Sequence, residues 1–425
     1  MPTFPWNRVA RTTTPTLLTL ASILATHAEG FRNPAAGAAS LGQAGGRRVF
    51  SDDASAAFEQ PSNLVGLDQW EVSLEPVFLL QTVRYTSPSG ATEDTKDTAR
   101  ILPSLFVGGP IGNGKFAAGL AVTEPYGFLA QWPNENPATE PLRDQGPVVG
   151  GNRLTPYHSD LRSVNVGPTV GMEVLPGLQV AVGFDAMWST FEVRDHLSAP
   201  GPGILNTDFG GKGDGVGFGG NASVTWEFIP GQRLAATIRS PMDIEYKGDS
   251  HLQYPAGLGS LDFNSSFSTK IRFPTIVGLG YGVELPNNIR LEANVEWLEY
   301  SRFKELSVAA PFPGTGVATP LSTPEDWRDT FTAGVGGSWR FSEHWTLRSS
   351  YLFAQTPVPN STLSPLFPDA DQHLITVGVG GRYGRHRLDL AYGHAFYATA
   401  RPSGSYVGRF ELDSNLFSAA YGFGF

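Results

Sequence analysis

Few side chains in this sequence stand where they could do covalent chemistry. Tyr157-His158-Ser159-Asp160 sets a histidine beside a serine and an acid. A hydrolytic triad needs those groups gathered in space around an oxyanion hole, and adjacency in sequence does not supply that. The glycine-rich run Gly210–Gly220, GGKGDGVGFGG, has the look of a phosphate cradle. No Gly-Lys-Ser/Thr occurs and no βαβ unit surrounds it, so it reads as a flexible loop running into a strand. There is no His-Glu-x-x-His and no paired-histidine spacing. The sequence has no cysteine, which removes thiolate metal sites and disulfides. The reading is a non-enzyme without cofactor or metal. What remains is binding by shape and charge, and one compact segment invites it. FSDDASAAFEQPSNL, Phe50–Leu64, carries the acidic pair Asp52–Asp53 and the turn-forming Gln60-Pro61-Ser62-Asn63, with no strand alternation.

The elements that position such a segment follow from composition. The 425 residues include 50 Gly and 33 Pro, and 12% are aromatic. That is too rich in glycine and aromatics for a helical protein and too apolar for a disordered one. A net charge of -10 argues against nucleic acid as a partner. Past the first thirty or so positions there is no apolar run of roughly eighteen residues, so no helical membrane span is expected. A mean hydropathy of -0.14 still allows a membrane barrel, because each strand is apolar on one face only. The N-terminus reads as a secretory signal: Arg8 and Arg11 precede the apolar Pro15–Ala25, and Thr26-His27-Ala28 suits cleavage after Ala28.

From Trp70 onward the chain repeats one plan, alternating residues between Gly, Pro, Asn and Asp clusters. The pattern predicts strands over Trp70–Val83, Arg100–Gly109, Gly114–Gln131, Asp160–Val174, Gly177–Asp195, Gly215–Phe228 and Gln232–Tyr246. It predicts seven more over Lys270–Glu284, Asn288–Glu305, Trp327–Phe341, His344–Ala354, Gln372–Tyr383, His386–Thr399 and Phe410–Phe425. Every even-to-odd connection is short (PIGN, LP, IPG, LPN, SE, GR), while nearly every odd-to-even connection is long. Short periplasmic turns and long extracellular loops mark an outer-membrane barrel with an even strand number and both termini in the periplasm.

The strand faces agree. Leu178, Val180, Val182, Phe184, Ala186 and Trp188 share one face, opposite Gln179, Gly183 and Asp185. Leu291, Ala293, Val295 and Trp297 oppose Arg290, Glu292, Asn294 and Glu296. A charge facing lipid costs about 2–4 kcal/mol at the midplane, so the charged faces belong inside. Phe417, Tyr421, Phe423 and Phe425 end the chain on one face, as an interfacial aromatic girdle does.

Several stretches in order resemble the FadL/OmpP1/TodX family of outer-membrane transporters. They include EGFRNPAAGAASLGQAG with SDDASAAFEQPSNL near the start, KFAAGLAVTEPYGFLAQW, GVGFGGNASVTWEF, LAATIRSPMDIEYKGD, EWLEYSRFKEL, WRDTFTAGVGGSWRFSEHWTLRSSYLFAQTPVP and FPDADQHLITVGVGGRY. The resemblance implies an all-β protein: a monomeric up-and-down transmembrane barrel of about fourteen strands (residues 70–425), plugged by an N-terminal hatch (residues 29–69) after a signal peptide (residues 1–28). It implies passive uptake of a hydrophobic small molecule, a fatty acid or a hydrocarbon. Capture by extracellular loops, an apolar pocket, hatch movement and lateral release through a kinked third strand would follow in turn. It also implies contact with outer-membrane lipid and lipopolysaccharide, and insertion by the barrel assembly machinery of a Gram-negative cell.

Pro125-Tyr126-Gly127-Phe128 supplies the kink on physical grounds as well, since proline lacks a ladder N–H and glycine admits a bulge. Backbone unpaired in lipid needs a cover, and the hatch is the natural one. In the family an Asn-Pro-Ala near the position of Gln60–Ser62 lies beside the kink, which points to Gln60–Asn63 and Asp52–Asp53 as the gate. Fatty-acid members hold the carboxylate with basic residues in the pocket. Arg194 lies close to one such position and, with Trp188, is the candidate ligand contact; a solvated Arg194 at a loop base is the alternative. No lysine stands at the second position, where LSTPEDW carries acids. That leaves neutral substrates open. A general diffusion porin and a barrel lipase or esterase are the competing functions.

Overall fold

The computed structural model of the protein describes residues 29–96, 98–133, 148–149, 152–197, 207–253, 262–311 and 320–425. The signal peptide expected over residues 1–28 lies outside them. Fourteen strands close into one antiparallel barrel. They are β1 (Glu71–Leu74 and Val77–Thr86), β2 (Thr92–Asp94, Thr98–Leu102 and Leu105–Ile111), β3 (Phe116–Thr123 and Phe128–Gln131), β4 (His158–Leu175) and β5 (Leu178–Leu197). Next come β6 (Thr207–Ile229), β7 (Gln232–Arg239 and Met242–Gln253), β8 (Asp262–Phe273 and Ile276–Leu285), β9 (Ile289–Leu298) and β10 (Thr330–Arg340). The set ends with β11 (Trp345–Ala354), β12 (Gln372–Tyr383), β13 (His386–Tyr397) and β14 (Arg409–Gly424). Each strand pairs with the next, and β14 closes on β1 through Glu71↔Gly424 and Val77↔Ser418.

The two-faced strands sort as lipid requires. Val182, Phe184, Leu291 and Leu390 are 59%, 49%, 46% and 59% exposed on the outside, whereas Asp185, Glu292 and Asp389 are buried within. Tyr421 and Phe425 face outward, and Phe423 is half-buried on the same side of β14. At the end that carries the chain termini the turns are tight. Pro176-Gly177 and Pro230-Gly231 each follow proline with a glycine at φ 77°, the pair a type II turn takes.

Several strand boundaries differ from the sequence reading. The run Gly210–Gly220 is no loop but lies wholly within β6. Its odd positions point inward without side chains, so hydropathy alternation vanishes there. Those glycines make room: a Cβ on Gly217 would meet Ile244, and one on Gly211 would meet Phe267. β7 and β8 also run further toward the extracellular end than expected, to Gln253 and from Asp262. Finally, β9 stops at Leu298 rather than Glu305, because the chain turns through a 3-10 stretch, Tyr300–Arg302, into a separate hairpin of Glu305–Val308 with Leu321–Pro324.

The N-terminal segment, with helices α1 (Ala38–Gly42) and α2 (Ala56–Glu59) and the 3-10 turn Pro61–Gly66, is enclosed by the strands. Ser350 of β11 receives a hydrogen bond from Gly45 N, and Glu292 of β9 receives bonds from Val49 N and Phe50 N. Neither helix is long enough to hold itself; barrel contacts do it.

Candidate functional site

β3 stops at Thr123 and resumes at Phe128. Its lower part pairs with both neighbours, Val122 with Leu105 of β2 and with Val166 of β4. Its upper part pairs with β4 alone, and the Thr98–Leu102 part of β2 pairs with β1 alone. The wall between β2 and β3 is therefore unzipped from the kink up to Lys96, whose N donates to Gln131 O at 2.8 Å and rejoins the two strands. The N-terminal segment covers the freed backbone. Gly127 N donates to Phe31 O at 2.8 Å, Asn33 N to Pro125 O at 3.0 Å and Asn33 Nδ2 to Glu124 O at 2.8 Å. Tyr126 N donates to Ser163 Oγ of β4 at 3.1 Å. Every buried main-chain group needs such a partner, more so in a membrane wall.

Against this bridge lies a cavity of about 220 Å³ between the N-terminal segment and the barrel interior. Phe128, Met242, Ile276, Leu352, Leu374 and Leu416 give it apolar walls. Trp327 and Phe367 border it, and behind them the buried Phe31 is stacked on Trp327 at 4.4 Å and edge-on to Phe303 and Phe367 at 5.1 and 5.6 Å. Polar groups border it as pairs: Arg32 with Glu296 at 2.5 Å and Arg239 with Asp185 at 3.5 Å. Around the segment's tip, Gly30 N donates to Asp369 Oδ2 at 3.2 Å. Burial pushes the Asp369 carboxyl up to about 6 against hydrogen bonds from Thr356, Ala370 and Gly30. Burial likewise pushes Glu29 up to about 7, although Arg32 opposes it.

The residues singled out from sequence fall in four places. Pro125–Phe128 form the kink. Gln60–Asn63 do not reach it: Gln60 Nε2 donates to Val224 O at 2.9 Å and Ala236 O at 3.1 Å, so this turn is fixed to β6 and β7. Ser62 N donates to Ser223 Oγ at 2.9 Å, and Asn63 Oδ1 accepts from Thr225 Oγ1 at 2.7 Å. The residues at the kink are Phe31–Asn33. An Asn-Pro-Ala does stand at Asn33–Ala35, and it was the signal to follow.

Asp52 and Asp53 part company near the periplasmic rim. Asp52 is exposed and pairs with Arg290 at 2.9 Å, whereas Asp53 is buried against Arg47 and Arg387. Burial would raise the Asp53 carboxyl, but Arg387 and Arg47 outweigh it and hold it well below the usual range.

Arg194 and Trp188 are not in the lumen at all. Both share the outward face of β5 with Phe184; Trp188 is 47% exposed, and Arg194 pairs with Glu192 at 3.2 Å. One residue of register decides the face of a strand. They line a depression of about 610 Å³ on the outer wall, which Glu124 also borders. His158 and Ser159, adjacent on β4, face opposite sides, and Ser159 Oγ donates to Leu366 O at 2.9 Å, so they form no dyad.

An outer-membrane β-barrel, filled by its own N-terminal segment and unzipped at one kinked strand, is the class these features define. The chain belongs to the outer membrane protein transport protein family (OMPP1/FadL/TodX), whose model matches residues 18–424. It is 23% identical over 377 residues to a long-chain fatty acid transport protein of Escherichia coli O6:H1, covering 80% of each chain. In fold it resembles a FadL homologue from Pseudomonas aeruginosa, with a TM-score of 0.80 at 20% identity over 93% of this chain and 99% of the other. It also resembles the toluene transporter TbuX of Ralstonia pickettii, with a TM-score of 0.72 at 17% identity over 92% and 98%.

Proposed function

We propose that the protein takes up hydrophobic compounds, long-chain fatty acids or hydrocarbons, by passive diffusion across the outer membrane. Extracellular loops capture the solute, the aromatic-edged cavity receives it, and the segment of residues 29–69 acts as a hatch. The solute then leaves sideways between β2 and β3. The observation that carries this reading is the Phe31–Asn33 bridge, which closes the unzipped wall with main-chain bonds that a moving segment can break. An apolar chain gains roughly 0.8 kcal/mol per buried CH₂, so lateral release keeps that surface out of water. A general diffusion porin needs an open lumen, and residues 29–66 occupy this one. The names of the relatives, one for long-chain fatty acids and one for toluene, favour these substrate classes. We take the protein to act as a monomer in contact with lipid and lipopolysaccharide, inserted by the barrel assembly machinery.

The test compares uptake of labelled oleate and toluene by cells with and without the protein. Faster uptake of either compound is expected; no difference for both overturns the reading.

A further inference from the structure

We propose that Arg100 and Glu124 form an ion-pair latch across the unzipped wall, and that the carboxylate of an acyl-chain substrate replaces Glu124 on Arg100 as the chain leaves. This rests on the lateral route proposed above. Arg100 sits on the inward face of β2, and Glu124 opens the β3 kink. The Arg100 guanidinium crosses the gap: Nη2 lies 2.6 Å from Glu124 Oε1 and 3.2 Å from Leu161 O of β4. The two side chains are only 11% and 9% exposed. With no ladder between β2 and β3 here, this pair is what ties the two edges together through side chains.

Two further observations make it a latch rather than a static brace. Glu124 borders both the lumen cavity and the depression on the outer wall, so its carboxylate stands where the two spaces meet. Arg100 Nη1 is buried and has no hydrogen-bond partner, leaving its two N–H donors free where Arg100 lines the lumen cavity. Gly127 keeps this arrangement possible, since a Cβ there would lie 2.9 Å from Arg100 Nη2 and 3.0 Å from Glu124 Oε1.

The chemistry then separates two kinds of passenger. Breaking a buried ion pair and leaving its charges alone is strongly unfavourable, so a neutral hydrocarbon passes the latch more slowly than an acid. A carboxylate can take the free Nη1 first and then Nη2, the two-pronged geometry that guanidinium favours. Glu124 is released toward the outer depression, where it shares Arg162 of β4 with Asp160, 2.8 Å from that guanidinium. Charge stays paired at each stage.

The test gives cells without an acyl transporter of their own the wild type, Arg100→Gln or Glu124→Gln. Uptake of labelled oleate is compared with that of methyl oleate, the same chain without its charge. Purified barrels are titrated in parallel with cis-parinaric acid and its methyl ester. Arg100→Gln is expected to cut oleate uptake and cis-parinaric acid binding roughly tenfold, while ester binding is unchanged and methyl oleate uptake rises because the pair is gone. Glu124→Gln is expected to raise methyl oleate uptake and keep that of oleate. Reading the acid-to-ester ratio within each variant cancels differences in barrel abundance, and heat-modifiable gel mobility confirms the folded barrel. Equal effects of Arg100→Gln on acid and ester, or no effect on the acid, overturn the latch and leave the transport reading standing. If wild type moves neither compound faster than cells lacking it, the transport reading fails and the latch fails with it.

Discussion

The main-chain N–H of Gly127 donates to the carbonyl oxygen of Phe31 at 2.8 Å, so a residue of the N-terminal segment takes the ladder place that β2 vacates. With Asn33 N bonded to Pro125 O, Arg32 and Tyr126 become directly opposed residues of an antiparallel bridge. The wall is completed by a strand fragment that is not part of the barrel. Opening it means breaking two main-chain bonds worth about 0.5–1.5 kcal/mol each, with the aromatic contacts of Phe31 besides.

That bridge can be stapled. Arg32 and Tyr126 form the non-hydrogen-bonded kind of pair, whose Cα atoms lie about 4.5 Å apart, within disulfide range. The sequence has no other cysteine. Arg32→Cys with Tyr126→Cys is expected to abolish uptake when oxidised and to regain it with dithiothreitol. Equal uptake in the two redox states, with the cross-link confirmed by mass spectrometry, counts against segment movement as the gate.

Phe31→Ala should loosen the tip of the segment. The ring is fully buried and stacks on Trp327. Its truncation is expected to cost about 3–5 kcal/mol of local docking energy. Hydrogen exchange at residues 29–36 reads this directly. Gln60→Ala should instead loosen the Pro61–Gly66 turn on β6 and β7, leaving exchange at residues 31–33 as in wild type.

The adjacent acids should behave very differently. Asp53→Asn strands the buried Arg47, while Arg387 keeps Glu71, Glu75 and Asp389, and about 3–5 kcal/mol of destabilisation is expected. Asp52→Asn removes only an exposed pair with Arg290, expected to matter by no more than about 1 kcal/mol. Thermal unfolding in detergent distinguishes them.

Docking of the segment's tip should depend on pH. Asp369 rises from 3.8 to about 6 and Glu29 from 4.5 to about 7, burial being the main cause of each. A folded-state value above the ordinary one means the docked form holds its proton more tightly. Docking is therefore firmest below about pH 4 and weakens as pH rises through about 6 to 7. Exchange at Gly30 to Asn33, corrected for its intrinsic pH dependence, is expected to be slower at pH 5 than at pH 8. Asp369→Asn should flatten much of that difference.

The sequence by itself determined the barrel. Period-two alternation with charges on one face leaves lipid only one face to touch, and alternating loop length fixes which end is which, so fourteen strands were countable before any pairing was known. It also placed the break in β3, because Pro125 has no N–H to give. It could not see β6 before Gly215, where inward positions without side chains carry no hydropathy signal. What only the tertiary structure decided is which part of the N-terminal segment meets the kink, and which face Arg194 takes. A plug has no periodicity to read; its partners are set by where buried polar groups find donors and acceptors. Gln60 therefore went to the carbonyls of β6 and β7, Asn33 to the carbonyls of Glu124 and Pro125, and Phe31 O to the N–H of Gly127. Arg194 turned outward because side chains alternate strictly along β5, and the lumen at that height went to Val193 and Phe191 instead.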